Sequence, residues 1–359
     1  MPGGGALMRE RRLSERQRQR IQAIQERRRQ RLESRTNAVL DKLEEDGAAG
    51  ADLGIDTAPG PAAQRGIVVV RHGAHLAVED AAGALHHCMT RSNIGHPVCG
   101  DRVVWQATGD GGGVVTALAP RDNVLSRPDY SGRDKPLAAN LSLLAVVVAP
   151  EPPPSGFLLD QYLVAAELMG VRALVVATKM DLLDAAGRGR FLAALAPYRA
   201  LGYPVCAIST KGPPGLAALA HHLAGQTAIL LGQSGVGKSS LVQALLPDQD
   251  IQVGRLSAAT GFGRHTTSAA TCYRLPPGGA DSGRLIDSPG VRSFRLAGLS
   301  QTELEQGFRE LAPLRGQCRF RDCRHLDEPD CAVRAAVAAG SVDARRLAHF
   351  RNLLEMLVR

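Results

Sequence analysis

The chain has 359 residues, room for two or three domains, and its 44% hydrophobic content is enough for real cores. Apolar runs such as Leu141 to Pro150 are too short to span a bilayer, and the first residues lack a signal-peptide core, so a cytoplasmic protein without membrane contact is expected. The formal net charge of +8 is local, because residues 1–35 hold eleven arginines and four glutamates, or +7 of the total.

That basic extension, residues 1–45, has good helix propensity but few apolar positions (Leu13, Ile21, Ile24, Leu32). It reads as an arm that is disordered or a frayed helix until it meets a partner, and arginine-rich arms suit nucleic acid. Residues 46–65 are a flexible linker by composition.

From Gly66 the pattern changes to short β runs: Ile67–Val70, His75–Val78, Leu85–Met89, Val103–Trp105 and Val114–Leu118. Five strands with glycine at most junctions predict an oligonucleotide-binding (OB-type) β-barrel over 66–134. The single tryptophan, Trp105, disfavours a base-stacking platform. Arg71, Arg91, Arg102 and Arg127 are the candidate contacts to an RNA backbone.

Residues 135–300 alternate apolar strands (Leu143–Val148, Ala173–Ala177, Val205–Ile208, Ala228–Leu231, Arg284–Ile286) with helical stretches such as Phe157–Met169 and Arg190–Leu201. A mostly parallel sheet follows, with ligand loops at the carboxyl ends of its strands. The central loop is GQSGVGKSS, made of Gly232, Gln233, Ser234, Gly235, Val236, Gly237, Lys238, Ser239 and Ser240, between the strand Ala228–Leu231 and a helix ending before Pro247. Its glycines let backbone N–H groups turn toward polyphosphate, Lys238 reaches the outer phosphates, and Ser239 can bind Mg²⁺.

Thr178-Lys179-Met180-Asp181 ends another strand. The Asp181 carboxylate can accept from guanine N1–H and the exocyclic amine, which adenine cannot match. The lysine stem covers the base and the threonine braces the loop. Ser209 follows the next strand, where a backbone N–H would meet the guanine oxygen, and Asp287-Ser288-Pro289-Gly290 offers a carboxylate for Mg²⁺ and a glycine N–H for the γ-phosphate. Gly261–Thr267 is a glycine-flanked loop in which Thr267, or alternatively Thr266, meets Mg²⁺. These are the loops of a Ras-like GTPase in a circularly permuted order, with the guanine-reading loops ahead of the phosphate loop. Val291 stands where Ras-like enzymes place a water-orienting glutamine, which makes His265 the candidate catalytic group.

Residues 301–359 carry Cys318, Cys323, His325 and Cys331 within fourteen residues. Three thiolates and an imidazole form a closed tetrahedral shell for one structural Zn²⁺. The stretches Val333–Ala339 and Asp343–Val358 are helical by spacing, and Cys88, Cys99, Cys206 and Cys272 read as small buried residues. The fold class is therefore multidomain α/β plus β: an OB-type barrel, a permuted P-loop GTPase domain and a helical zinc-binding domain.

The permuted order, GQSGVGKSS, GFGRHTTSA, DSPGVRSF and the Cys/Cys/His/Cys spacing together resemble the bacterial family of ribosome small subunit-dependent GTPase A, RsgA or YjeQ. The resemblance extends over GDRVVW at Gly100–Trp105, RPD at Arg127–Asp129, KPLAAN at Lys135–Asn140 and LLDQYLVAAE at Leu158–Glu167. It implies a monomeric GTPase that docks on the 30S subunit and its 16S rRNA late in maturation and is stimulated by it to turn GTP into GDP and phosphate. The family's GxGxHTT histidine is catalytic and falls on His265. Thr178 stands where many relatives have Asn, a departure that leaves Asp181 untouched. The competing function is an RNA-binding assembly factor that uses GTP only as a structural ligand.

Overall fold

A computed structural model describes residues 62–91, 94–109, 111–128, 134–246, 248, 270–276, 283–288, 296 and 299–358. All of the basic extension, most of the linker, and the loop carrying His265, Thr266 and Thr267 lie outside the described residues, as do Gly290 and Val291.

Strands β1 (Ala63–His72), β2 (His75–Asp80), β3 (Leu85–Thr90), β4 (Arg102–Ala107) and β5 (Gly113–Leu118) pair in the order β1-β2-β3-β5-β4, and β1 also pairs with β4. That closure removes the sheet's edges and makes a five-stranded barrel. Alternating side chains fill it with Val68, Leu76, Val78, Cys88, Val103, Trp105 and Val115. Trp105 is buried in that core, so it is no platform for bases. The first strand begins at Ala63, inside the stretch expected to be linker. A hairpin of β6 (Val124–Pro128) and β7 (Asp134–Ala139) connects the barrel to the next module; no expectation covered it.

The second module is a parallel sheet of β8 (Leu143–Val148), β9 (Arg172–Ala177), β10 (Val205–Ala207), β11 (Thr227–Leu231) and β13 (Arg284–Asp287), with β12 (Thr271–Arg274) antiparallel at its side. The order β10-β9-β8-β11-β13-β12 reverses direction between β8 and β11, so the crevice at their carboxyl ends is the expected ligand position. Strand β8 is buried at every position, as a continuous LLAVVV run in a central parallel strand should be. Around the sheet lie α1 (Gly156–Leu168), α2 (Ala185–Ala194), α3 (Ala196–Ala200), α4 (Ala217–Leu223) and α5 (Lys238–Leu245). The single helix expected over Arg190–Leu201 is two: Asp184 caps the first by accepting from Gly187 N at 2.6 Å, and Leu195 separates it from a second with proline in its first turn.

Barrel and sheet are joined. β1 pairs with β12 at Val70 and Thr271, and the buried Glu79 of β2 accepts from Arg274 and Arg284. The Cys99 thiol donates to the carbonyls of Val69 and Ala270, and Cys88, Cys206 and Cys272 are buried free thiols as expected. The C-terminal module comprises α6 (Gln301–Gln306), α7 (Ala332–Ala338) and α8 (Ala344–Val358) around its own core of Leu304, Phe308, Leu311, Val333, Phe350 and Leu353. Among the described residues no helix is long and apolar enough to cross a membrane.

Candidate nucleotide and metal sites

Because β8, β9, β10, β11 and β13 run parallel, the residues that follow them emerge on one edge. Gly232 follows β11, Thr178 follows β9, Ser209 comes just after β10 and Asp287 ends β13. At Gly232 a Cβ would stand 2.3 Å from the Val147 carbonyl oxygen, so only glycine lets the loop leave β11 beside β8. Gly237 caps α5 at φ 98°, where a side chain would be strained. The turn sets the amide end of α5 beneath the loop, with Ser239 and Ser240 exposed on its first turn. Lys238 Nζ donates to the carbonyls of Gly232 (2.7 Å) and Gln233 (2.6 Å), holding the ammonium across the loop's mouth.

The Thr178–Asp181 loop is laced to that phosphate loop. Thr178, buried, donates from Oγ1 to Val236 O at 2.7 Å. Lys179 takes a left-handed φ of 58°, and its Nζ donates to Gly235 O and Glu151 O, each at 2.7 Å. Met180 and Val236 send their side chains into the core, so what they offer a ligand is backbone. Asp181 stays half-exposed, and Ser209 Oγ donates to its Oδ1 at 2.5 Å while accepting from Lys211 N at 3.1 Å. That serine bond, with Lys211 and Arg188 nearby, holds the Asp181 carboxyl below the ordinary carboxylate range. The result is an ionised acceptor beside the glycine loop of residues 232–240. Burial pushes Asp287 the other way, only partly offset by Lys238.

At the other end of the molecule Cys318, Cys323, His325 and Cys331 present ligand atoms within 4.8 Å of one another. Zinc bonds of about 2.3 Å to sulfur and about 2.0–2.1 Å to nitrogen at tetrahedral angles require edges of about 3.8 Å for S···S and about 3.6 Å for S···N. Cys318 and Cys331 Sγ lie 3.8 Å apart, and His325 Nδ1 lies 3.6, 3.5 and 3.3 Å from Cys318, Cys323 and Cys331. The residues fit a tetrahedral ion. Glu305 of α6, which no motif flagged, accepts from His325 Nε2 at 3.1 Å and fixes the ring with Nδ1 toward the thiols. It is distant in sequence and lacks a ligand spacing, so only the fold reveals it.

The arginines expected to meet RNA on the barrel divide. Arg71 spends donors on Gly73 O and Pro97 O, and Arg102 on Asp122 and Asn140, so both brace loops, whereas Arg91 is exposed.

A family model described as RsgA GTPase matches residues 118–297. Over 354 residues, spanning 98% of each chain, the sequence is 43% identical to a Small ribosomal subunit biogenesis GTPase RsgA of Pseudomonas savastanoi pv. phaseolicola. It is 42% identical, at the same coverage, to the protein of that name from Azotobacter vinelandii. The crystal structure of YjeQ from Thermotoga maritima superposes with a TM-score of 0.67 at 29% identity, covering 82% of this chain and 99% of the other. YloQ, described as a circularly permuted GTPase, gives a TM-score of 0.64 at 28% identity, with coverages of 82% and 95%.

Proposed function

This chain belongs to the RsgA GTPase family and is a GTP hydrolase, and on that premise we propose that it acts in biogenesis of the small ribosomal subunit. The particle it serves is the 30S subunit with its 16S rRNA, bound late in maturation, and that particle stimulates hydrolysis of GTP to GDP and phosphate. The protein works as a monomer in the cytoplasm. The observation that carries this reading is the lacing of the Thr178–Asp181 loop to the phosphate loop through Val236 and Gly235. It fixes a guanine-matching carboxylate at a set distance from a phosphate cradle.

In this reading Asp181 accepts from the guanine donors, Lys179 covers the base, a backbone N–H beside Ser209 meets the guanine oxygen, and residues 232–240 wrap the phosphates. Hydroxyl and carboxylate oxygens are hard donors, so Ser239 and Asp287, with Thr267 from outside the described residues, would hold Mg²⁺, which neutralises charge on the β- and γ-phosphate oxygens. Water adds to the γ-phosphorus as its bond to the bridging oxygen breaks, and GDP departs. His265 orients that water, because the Val291 side chain has no polar atom to do so. The Cys₃His cluster takes one structural Zn²⁺, a closed shell with no position for reacting water.

The test is GTP hydrolysis by the purified protein alone and with 30S, 50S or 70S particles, with ATP as the control nucleotide. Stimulation by 30S alone, lost in His265→Ala with binding retained, is expected. If no particle stimulates and His265→Ala behaves as wild type, GTP is a structural ligand of an RNA-binding factor.

A further inference from the structure

Cys99 stands where the barrel, the connecting hairpin and the start of β12 meet. Its carbonyl accepts from Ala139 N of β7 at 2.9 Å, and Gly100 beside it donates to Val68 O of β1 at 2.9 Å. Its thiol bridges Val69 O of β1, at 3.2 Å, and Ala270 O, at 2.9 Å. At Gly100 a Cβ would clash with the Ala139 carbonyl and touch Ile286 of β13, so this junction packs directly on the strand that ends in Asp287.

The two carbonyls that the thiol meets stand at breaks in the strand ladders. Val69 is skipped where the register of β1 with β2 shifts between Val68 and Val70, and Ala270 precedes β12. A bulge bends its strand, and just past this one Val70 pairs with Thr271. Thr271 in turn pairs with Asp287. One line of neighbouring backbones therefore runs from the barrel through Thr271 to Asp287.

The loop leading to Cys99 is itself held firmly. Arg71 donates to Pro97 O at 3.0 Å, Arg121 donates to His96 O at 2.8 Å, and the buried Asp101 accepts from Val98 N at 2.7 Å. Burial holds the Cys99 thiol well above its ordinary range, so it stays protonated and able to donate. A buried carbonyl without a partner is costly, so losing this one S–H would oblige the backbone at Val69 and Ala270 to shift. In the sequence Ala270 comes three positions after Thr267.

We propose that Cys99 is a positioning residue for GTP hydrolysis: its thiol clamps the root of β12 to the barrel and thereby sets where Asp287 and Thr267 meet Mg²⁺. The proposal deepens the GTPase reading and rests on it for the roles of those two residues.

The experiment compares full-length wild type, Cys99→Ala, Cys99→Ser and Cys88→Ala, the last removing a buried thiol from the barrel's own core. The readouts are GTP hydrolysis as Mg²⁺ is titrated, and hydrogen–deuterium exchange over residues 270–274 and 284–287. Cys99→Ala removes the donor and is expected to lower kcat about fivefold, with the KM for GTP at saturating Mg²⁺ changing less than about twofold. It should also raise the Mg²⁺ concentration needed for half the maximal rate and speed exchange in both segments. Cys99→Ser keeps a donor and should recover most of the rate, whereas Cys88→Ala should lower the melting temperature with kcat unchanged. Cys99→Val keeps the bulk without the donor and makes the same test should Cys99→Ala fold poorly. The proposal is overturned if Cys99→Ala leaves kcat and exchange as in wild type, if Cys99→Ser is no better than Cys99→Ala, or if Cys88→Ala slows hydrolysis as much. A wild type that hydrolyses no GTP would sink the GTPase reading alone, since the exchange data would still decide the clamp.

Discussion

Replacing Asp181 by asparagine should exchange the base this protein reads. Ser209 donates to one carboxylate oxygen, and an asparagine Oδ1 can take over that bond, so the loop keeps its shape. What changes is the pair of bonds to guanine: an anionic acceptor becomes an amide that presents a donor to the base's own amine. Hydrogen bonds to a charged group contribute about 1.5–3 kcal/mol each, and the half-exposed carboxylate calls for the lower figure. Two such bonds come to about 3 kcal/mol, or roughly a hundredfold in affinity. Xanthine carries an oxygen where guanine has its amine, so the variant should prefer XTP to GTP. Calorimetric titration with GTP, XTP and ATP in the presence of Mg²⁺ measures this directly. Retention of GTP affinity within threefold, with no gain for XTP, would refute the assignment of Asp181 as the base reader.

Thr178→Val should raise the KM for GTP several-fold with kcat changing less, since it cuts the bond to Val236 O, about 1 kcal/mol, that aligns the two loops; a change confined to kcat would contradict that role. Cys331→Ala should abolish metal binding and unfold the C-terminal module, because structural zinc gives small domains about 10–16 kcal/mol; metal analysis should find one zinc per wild-type chain, and a cobalt-substituted protein without thiolate-to-metal absorption would count against a Cys₃His site. Glu79→Gln should destabilise barrel docking by about 2–3 kcal/mol at neutral pH. Burial alone would raise the Glu79 carboxyl, but Arg284 and Arg274 outweigh it and hold it below the ordinary range. That stabilisation is full above the unfolded carboxyl's range and fades as pH falls through the lowered folded value, so the melting temperatures of wild type and variant should converge in acid.

The sequence was most legible where one local pattern suffices. The bounds of β8 follow from a run of six apolar residues, and the phosphate loop from its glycine spacing between strand and helix. The metal cluster follows from four ligands within one short loop. Features that depend on distant partners were not readable. Strand β12 is four residues long with Thr and Arg at its ends, and it exists because β13 and β1 flank it. The ion pair between Asp160 and Arg346 spans 186 positions, and neither residue sits in a motif that suggests the other. Arg71 and Arg102 carried the charge expected of RNA contacts, yet carbonyl and carboxylate partners elsewhere in the chain consume their donors.

Permutation explains why such distant contacts matter here. A parallel sheet depends on which strands are neighbours, not on their order in the chain, so β8, β9 and β10 can precede β11 and still surround the same crevice. What permutation moves is the attachment of the flanking modules. The barrel enters β8 through the β6–β7 hairpin, yet it pairs with β12 and clamps both Arg274 and Arg284, so it is bonded to the strands on either side of residues 277–282. The C-terminal module leaves the chain after β13, the strand ending in Asp287, and folds back onto α1 through Asp160 and Val164. The barrel is therefore fastened to β12 and β13, the strand that ends in Asp287, whereas the C-terminal module is fastened to α1 and, through Arg309, to Leu201 and Tyr203 at the entry to β10. A displacement of the barrel would be felt first along β13 and at Asp287, and one of the C-terminal module along α1 and the segment that leads into β10.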